Sequence, residues 1–165
     1  VILVLNPAVI LAEARDSQRI ADISQLNSAL GLFLATSGGG SLGDASKCHV
    51  QATATAVAAK CGGRHEKDTV GTIAGRGVAA DGWVPVNFGA ISGGSPLSSL
   101  PIDPTSNATL FYSYAVNPAT LTQFELNANM ESERYGEGGN DDVETGDGGN
   151  KTGLYEIGND PGLNL

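Results

Sequence analysis

Charge is scarce in this 165-residue chain, at 16% Asp, Glu, Lys and Arg, and basic charge is scarcest, with 9 Lys and Arg against 18 acidic residues. A nucleic-acid footprint needs the opposite sign, and no stretch interleaves Lys and Arg with aromatics, so no nucleic-acid partner is expected from the domain alone. A polybasic contact with a membrane surface is equally unsupported. Aromatics reach only 5%, too few for the ring-lined cleft of a glycosidase. There are just two cysteines, Cys48 and Cys61. They exclude a disulfide-dense scaffold, and a zinc site would need more ligands than His49 and His65 obviously supply. Both histidines are expected at the surface. Long hydrophobic runs are missing too: Val1 to Leu5 and Ala8 to Ala12 together make about half of the roughly 20 apolar residues a bilayer span needs. The opening VILVLNPAVILA has no basic leader and no small-residue cleavage site, so it is expected to be the tail end of a longer apolar segment and not a signal peptide.

What the chain does have is glycine, 23 residues, with 7 Pro, and a surface that leans on Ser, Thr, Asn and Gly. Loops are therefore plentiful, and the length suits one domain with appendages. The paired thiols suggest a disulfide between Cys48 and Cys61 that stabilises by roughly 2–3 kcal/mol. Two free thiols are the alternative.

Asn6-Pro7 reads as a helix start, Asn as cap and Pro where a backbone donor would be orphaned anyway. From Pro7 to about Leu34 only Gly31 weakens the helix. Ile20, Ile23, Leu26, Leu30, Phe33 and Leu34 follow steps of three and four, a stripe that predicts packing on a sheet. Before it lie a polar patch from Glu13 to Arg19 and an apolar start with no polar side. The Gly-rich stretch Ser37 to Lys47 ends the helix, and Cys48 to Ala80 is expected as a disulfide-pinned excursion. Strands follow. Trp83 to Phe88 reads as an edge strand or extended segment because of Pro85. Leu110 to Val116 and Thr122 to Met130 flank a four-residue turn, Asn117 to Thr120, and predict a hairpin. In the second strand Phe124, Leu126, Ala128 and Met130 alternate with polar residues, which predicts one buried face and one wet face. Leu154 to Ile157 is a further edge strand. The expected fold class is α+β: a long N-terminal α-helix packed on a small antiparallel β-sheet, with a Gly- and Asp-rich C-terminal loop over 136–165.

Gly39 to Gly43 fits G-x-S-x-G around Ser41, but the motif needs a strand-to-helix elbow and here it follows a helix. Gly75 to Ala80 fits G-x-G-x-x-A without a helix to open, so a turn is expected. Asp141, Asp142, Glu144 and Asp147 crowd a Gly-rich loop. They read first as a solvated acidic loop and second as a calcium site, without EF-hand spacing. No catalytic residues are expected.

The run VILVLNPAVILAEARDSQRIADISQLNSALGLFLA resembles the latter part of the amino-terminal helix of type IV pilins and type II secretion pseudopilins. Ala14, Arg15, Asp16, Arg19, Asp22, Ile23 and Leu26 occupy the pattern A-R-D-x-x-R-x-x-D-[IL]-x-x-[IL]. GWVPVNF, GGSPLSSLPIDP, YSYAV, FELNANMES and LYEIGNDPG resemble downstream segments of pilin-like proteins. The family's cleavage motif and the glutamate near its mature start would precede Val1. The resemblance implies residues 1–36 as a filament-core helix, with Val1, Ile2, Leu3, Val4, Leu5, Pro7, Val9, Ile10 and Leu11 facing other subunits, and 37–165 as a head. It implies a homopolymeric extracellular filament whose subunits sit in the inner membrane before assembly. The use would be attachment or motility, or, for a pseudopilin, secretion by a periplasmic filament. It also raises calcium in the C-terminal loop. A calcium-stabilised adhesin or binding module is a further alternative.

Overall fold

The computed structural model describes residues 6–51 and 58–165. Helix α1 spans Pro7–Thr36, with Asn6 Oδ1 accepting from the Ala8 N–H at 3.1 Å and Pro7 in the first turn, so the predicted start is the observed one. It ends where Ser37 donates its N–H to the Phe33 carbonyl at 2.8 Å and the chain turns through Gly38 and Gly39 at positive φ. Gly31 passes through the helix without breaking it.

Five strands follow: β1 (Lys47–Gln51), β2 (Thr69–Ile73), β3 (Ser113–Val116), β4 (Phe124–Ala128) and β5 (Tyr155–Gly158). They form one sheet in the order β2-β1-β3-β4-β5. The α+β class holds, but the sheet is mixed and not purely antiparallel. β1 and β2 run parallel, in register Cys48 with Val70, while every other pair is antiparallel. Parallel neighbours need a crossover, and the stretch between β1 and β2 provides it. That stretch contains the one-turn segment Ala59–Gly63, where Lys60, Cys61 and Gly62 take left-handed backbone angles, and it is tied to β1 by the Cys48–Cys61 disulfide with a Cα–Cα distance of 6.2 Å.

One sheet face carries the main core. Ile23, Leu26, Leu30 and Phe33 of α1 are buried there with Tyr114, Val116, Phe124 and Leu126, as the helical stripe predicts. Ile20 and Leu34 are half-buried at the margins. Trp83 to Phe88 is not a strand. Pro85 cannot donate to a ladder, and the segment instead wedges Trp83, Val84, Val86 and Phe88 into this core, with Trp83 Nε1 donating to the Pro101 carbonyl at 2.9 Å. The β3–β4 connection covers residues 117–123 and not four residues, because Asn117 builds its own turn. Its Oδ1 accepts from Ala119 N–H, and its N–H donates to the Gln123 carbonyl.

The second sheet face is not wet. Glu125 and Asn127 are fully buried, and Cys48, Val50, Cys61, Phe111, Ala115 and Leu165 form a smaller core beside them. The covering chain is held by Glu66 N–H donating to the Leu165 carbonyl and by Leu165 N–H donating to Glu125 Oε2. His49 and His65 are buried as well, against expectation.

Candidate assembly surface

The first described turns of α1 are exposed. Val9, Ile10 and Leu11 are 48, 47 and 57% exposed, and Pro7 is exposed beside them. Val1, Ile2, Leu3, Val4 and Leu5, the remaining members of the expected filament-core set, lie outside the described residues. Among the described residues no helix is long and apolar enough to cross a membrane. Between this end of α1 and the segment 131–141 opens a groove of about 1020 Å³, lined by Ala8, Val9 and Ala12 on one side and Glu133, Glu137 and Asp141 on the other.

About two turns further along, the helix is locked to the rest of the molecule by charge. Arg19 is fully buried, and its guanidinium donates to both oxygens of Asp103 at 2.7 and 2.9 Å, to Asp16 at 2.8 Å, to Glu131 at 3.2 Å and to Thr105 at 3.0 Å. Asp16, also buried, accepts the backbone N–H groups of Glu131 and Ser132, the latter at 2.8 Å. Burial opposes the charge on Arg19, yet the bonds to Asp103, Asp16 and Glu131 outweigh it and hold the guanidinium firmly protonated. Arg15 forks onto Glu131, and Tyr112 donates to Asp22 at 2.8 Å. The polar patch from Glu13 to Arg19 is thus in part an internal joint. The signal was present in the spacing: positions 16, 19, 23, 26, 30 and 33 continue one series of threes and fours, so Asp16 and Arg19 lie on the same helix face as Ile23 and Leu26. Their partners Asp103 and Glu131 had no such signal.

The four acidic-loop residues do not converge. Asp141 pairs with Arg134. Asp142 accepts the N–H groups of Gly138, Glu144 and Thr145 and the Thr145 hydroxyl, which holds its carboxyl down at about 2. Glu144 is buried and accepts from Met130 N–H at 2.8 Å and Glu137 N–H at 3.0 Å. Asp147 accepts from Gly149 N–H at 2.8 Å and Glu156 N–H at 2.6 Å. Burial raises the carboxyls of both Glu144 and Asp147. Among the described residues no three His, Cys, Asp or Glu side chains are grouped to hold a metal ion. Asp142, Glu144 and Asp147 each bind backbone N–H groups, while Asp141 is held by Arg134 alone among the described residues.

A second polar cluster, unanticipated from sequence, lies under the covered sheet face. Ser113 Oγ and His65 Nε2 are 3.0 Å apart, and His65 Nδ1 is 3.5 Å from Glu125 Oε1. This has the order of a Ser-His-acid relay, but all three side chains are closed to solvent, so the arrangement is a buried structural chain. Burial first and then Arg64 push His65 down to about 3, leaving it neutral. Oε1 of Glu125 and Oε1 of Glu156 have no hydrogen-bond donor among the described residues. Burial, reinforced by neighbouring carboxylates, raises both, Glu156 to about 8.

Ser41 is exposed in the loop after α1, where its Oγ accepts from Gly43 N–H at 3.1 Å, and no helix begins at Gly75 to Ala80. Gly39 to Gly43 lies in an irregular loop, as expected, and the expected turn at Gly75 to Ala80 is instead an irregular segment with an isolated bridge from Ala79 to Asn87. No protein-family model matches the chain, and searches of curated proteins and of solved structures return no match.

Proposed function

We propose that this chain is a structural subunit of an extracellular type IV pilus-like filament, assembled through the apolar start of α1 and used for surface attachment or motility. The observation that carries the reading is the division of one helix. α1 has 30 residues, about 45 Å of rod. Its later part is sealed against the sheet, its middle is fixed by Asp16 and Arg19, and its first turns hold out Val9, Ile10 and Leu11. Three consecutive bulky apolar residues left in water are costly, at about 25 cal/mol per Å² of apolar surface. Burial among copies of the same helix, or in a membrane before assembly, removes that cost, and the joint at Arg19 transmits the helix's position to the head. The chain's resemblance to type IV pilins over Ala14 to Leu26 supports the same assignment. The disulfide is compatible with an extracellular location. The work of such a subunit is polymer mechanics, so no catalytic group is assigned.

Deleting 1–11 tests the reading. The shortened chain is expected to keep a cooperative melting transition and to form no filaments in negative-stain micrographs of producing cells, where the full chain forms them. Filaments that persist after the deletion would refute the proposal. Filaments confined to the periplasm would instead assign the chain to the pseudopilins of type II secretion.

A further inference from the structure

Arg64 is 5% exposed, and among the described residues no carboxylate pairs with it. Its guanidinium donates to the carbonyls of Phe111 and Thr109, the latter at 2.8 Å, and to Asn129 Oδ1, and it lies 3.5 Å over the Phe111 ring. Those contacts fix the group in place and satisfy donors, but dipoles and a ring face do not neutralise a full charge. Burial accordingly lowers its pKa to about 9. A guanidinium so oriented without a counter-ion is a preformed half of an ion pair.

The same Arg64 lines a surface cleft of about 580 Å³ between the Gly62–Gly63 turn, residues 108–111 and residues 150–154. In a chain with 18 acidic residues and 9 basic ones, this corner runs against the overall sign. Arg64, Lys67 and Lys151 all act on the neighbouring His65 as positive charges. Among the described residues, the acid that pairs with Lys151, Glu66, is divided between Lys60 at 2.8 Å and Lys151 at 3.7 Å. The mouth of the cleft carries neutral donors and acceptors, with Thr109, Asn150 and Thr152 all exposed. A Cβ added at Gly63 or Gly153 would meet nothing within 4 Å, so these glycines leave open room that no packing requires.

We propose that this cleft binds a carboxylate carried on a hydroxylated body, an acidic sugar of the hexuronate class, with Arg64 beneath the carboxylate, Lys151 at the rim and the hydroxyls meeting Thr109, Asn150 and Thr152. A bare anion would use the guanidinium alone, whereas the polar mouth adds recognition that a simple carboxylate cannot engage. The site lies on the head, on the sheet face opposite α1, and it stands or falls independently of filament assembly.

The test is an amide NMR titration of the 165-residue chain with sodium glucuronate, sodium acetate and glucose in separate arms. Glucuronate is expected to shift the Gly62, Gly63 and Gly153 amides saturably, acetate to bind about tenfold or more weakly and glucose weaker still. Gly153→Val fills the cleft at a position without positive φ, and Lys151→Gln removes the rim charge. Each is expected to raise the glucuronate Kd by about tenfold while the melting temperature stays unchanged. Arg64→Gln is expected to abolish binding, and if that variant fails to fold, the other two decide. Absence of saturable shifts, acetate matching glucuronate, or affinity unchanged in both Gly153→Val and Lys151→Gln would overturn the proposal.

Discussion

The two faces of the sheet are sealed by different physics. The face under α1 is closed almost wholly by apolar side chains, from Ile23 and Leu30 on the helix to Trp83 and Phe124, and its stability is transfer of oily surface out of water. The opposite face buries Ser113, Glu125, Asn127, Glu156, His65 and Arg64 with only a small apolar cluster. It is held by a disulfide and by the backbone bonds at Leu165. The comparison teaches that one sheet can be closed on one side by a pattern and on the other by individual chemical devices, and that the two sides will respond to different insults.

The sharpest way to break the comparison is a charge under α1. Ile23→Asp or Leu30→Asp is expected to remove the cooperative transition and soluble expression altogether, at a cost of about 4 kcal/mol or more. Thermal denaturation followed by circular dichroism reads this, and an intact transition would contradict the packing described. Next is the joint at the margin of that face. Arg19→Ala leaves Asp16 and Asp103 buried without their cation and is expected to cost about 3–5 kcal/mol, whereas Arg15→Ala, at a partly exposed pair, should cost less than about 1 kcal/mol. Urea unfolding separates the two.

On the other face, Cys48→Ser with Cys61→Ser is expected to lower stability by about 3 kcal/mol, with the α1 core left intact by tryptophan fluorescence of Trp83. The carboxyl pair adds a pH dependence of defined sign. Glu156 is raised from 4.5 to about 8 in the fold, so its contribution is fully present below the unfolded value and is lost as the pH rises through about 8. Glu156→Gln is expected to flatten the decline of melting temperature between pH 5 and 9; an unchanged slope would contradict the raised carboxyl of Glu156. The smallest effect concerns the acidic loop. With Asp142, Glu144 and Asp147 already engaged by backbone donors, removing calcium with a chelator is expected to leave the melting temperature unchanged, and a fall on chelation would restore the cation reading.

The helix, its cap, its packing stripe, the hairpin strands and the last edge strand were legible because each is written in local periodicity or turn chemistry. The disulfide was legible from two cysteines close in sequence. The parallel β1–β2 pair was not, since Lys47–Gln51 and Thr69–Ile73 are short, glycine-interrupted or polar, and their pairing depends on a crossover that sequence pattern does not display. The polar residues of β4 misled for a related reason: alternation marks which side chains share a face, and says nothing of whether another stretch of chain later covers the polar one. Burial of Asp16 and Arg19 could have been read from their spacing. The exposed start of the candidate assembly surface was legible, whereas the Arg64 cleft was invisible because its walls come from three separated segments.

The Cys48–Cys61 link has a mechanical side. Tension applied along the chain between α1 and the later strands would run through the sulfur bridge and skip the residues it encloses, so that part of the crossover bears no load. A pulled subunit would yield first in uncrosslinked stretches, and its extended length would fall short of the full contour by the span of the bypassed loop.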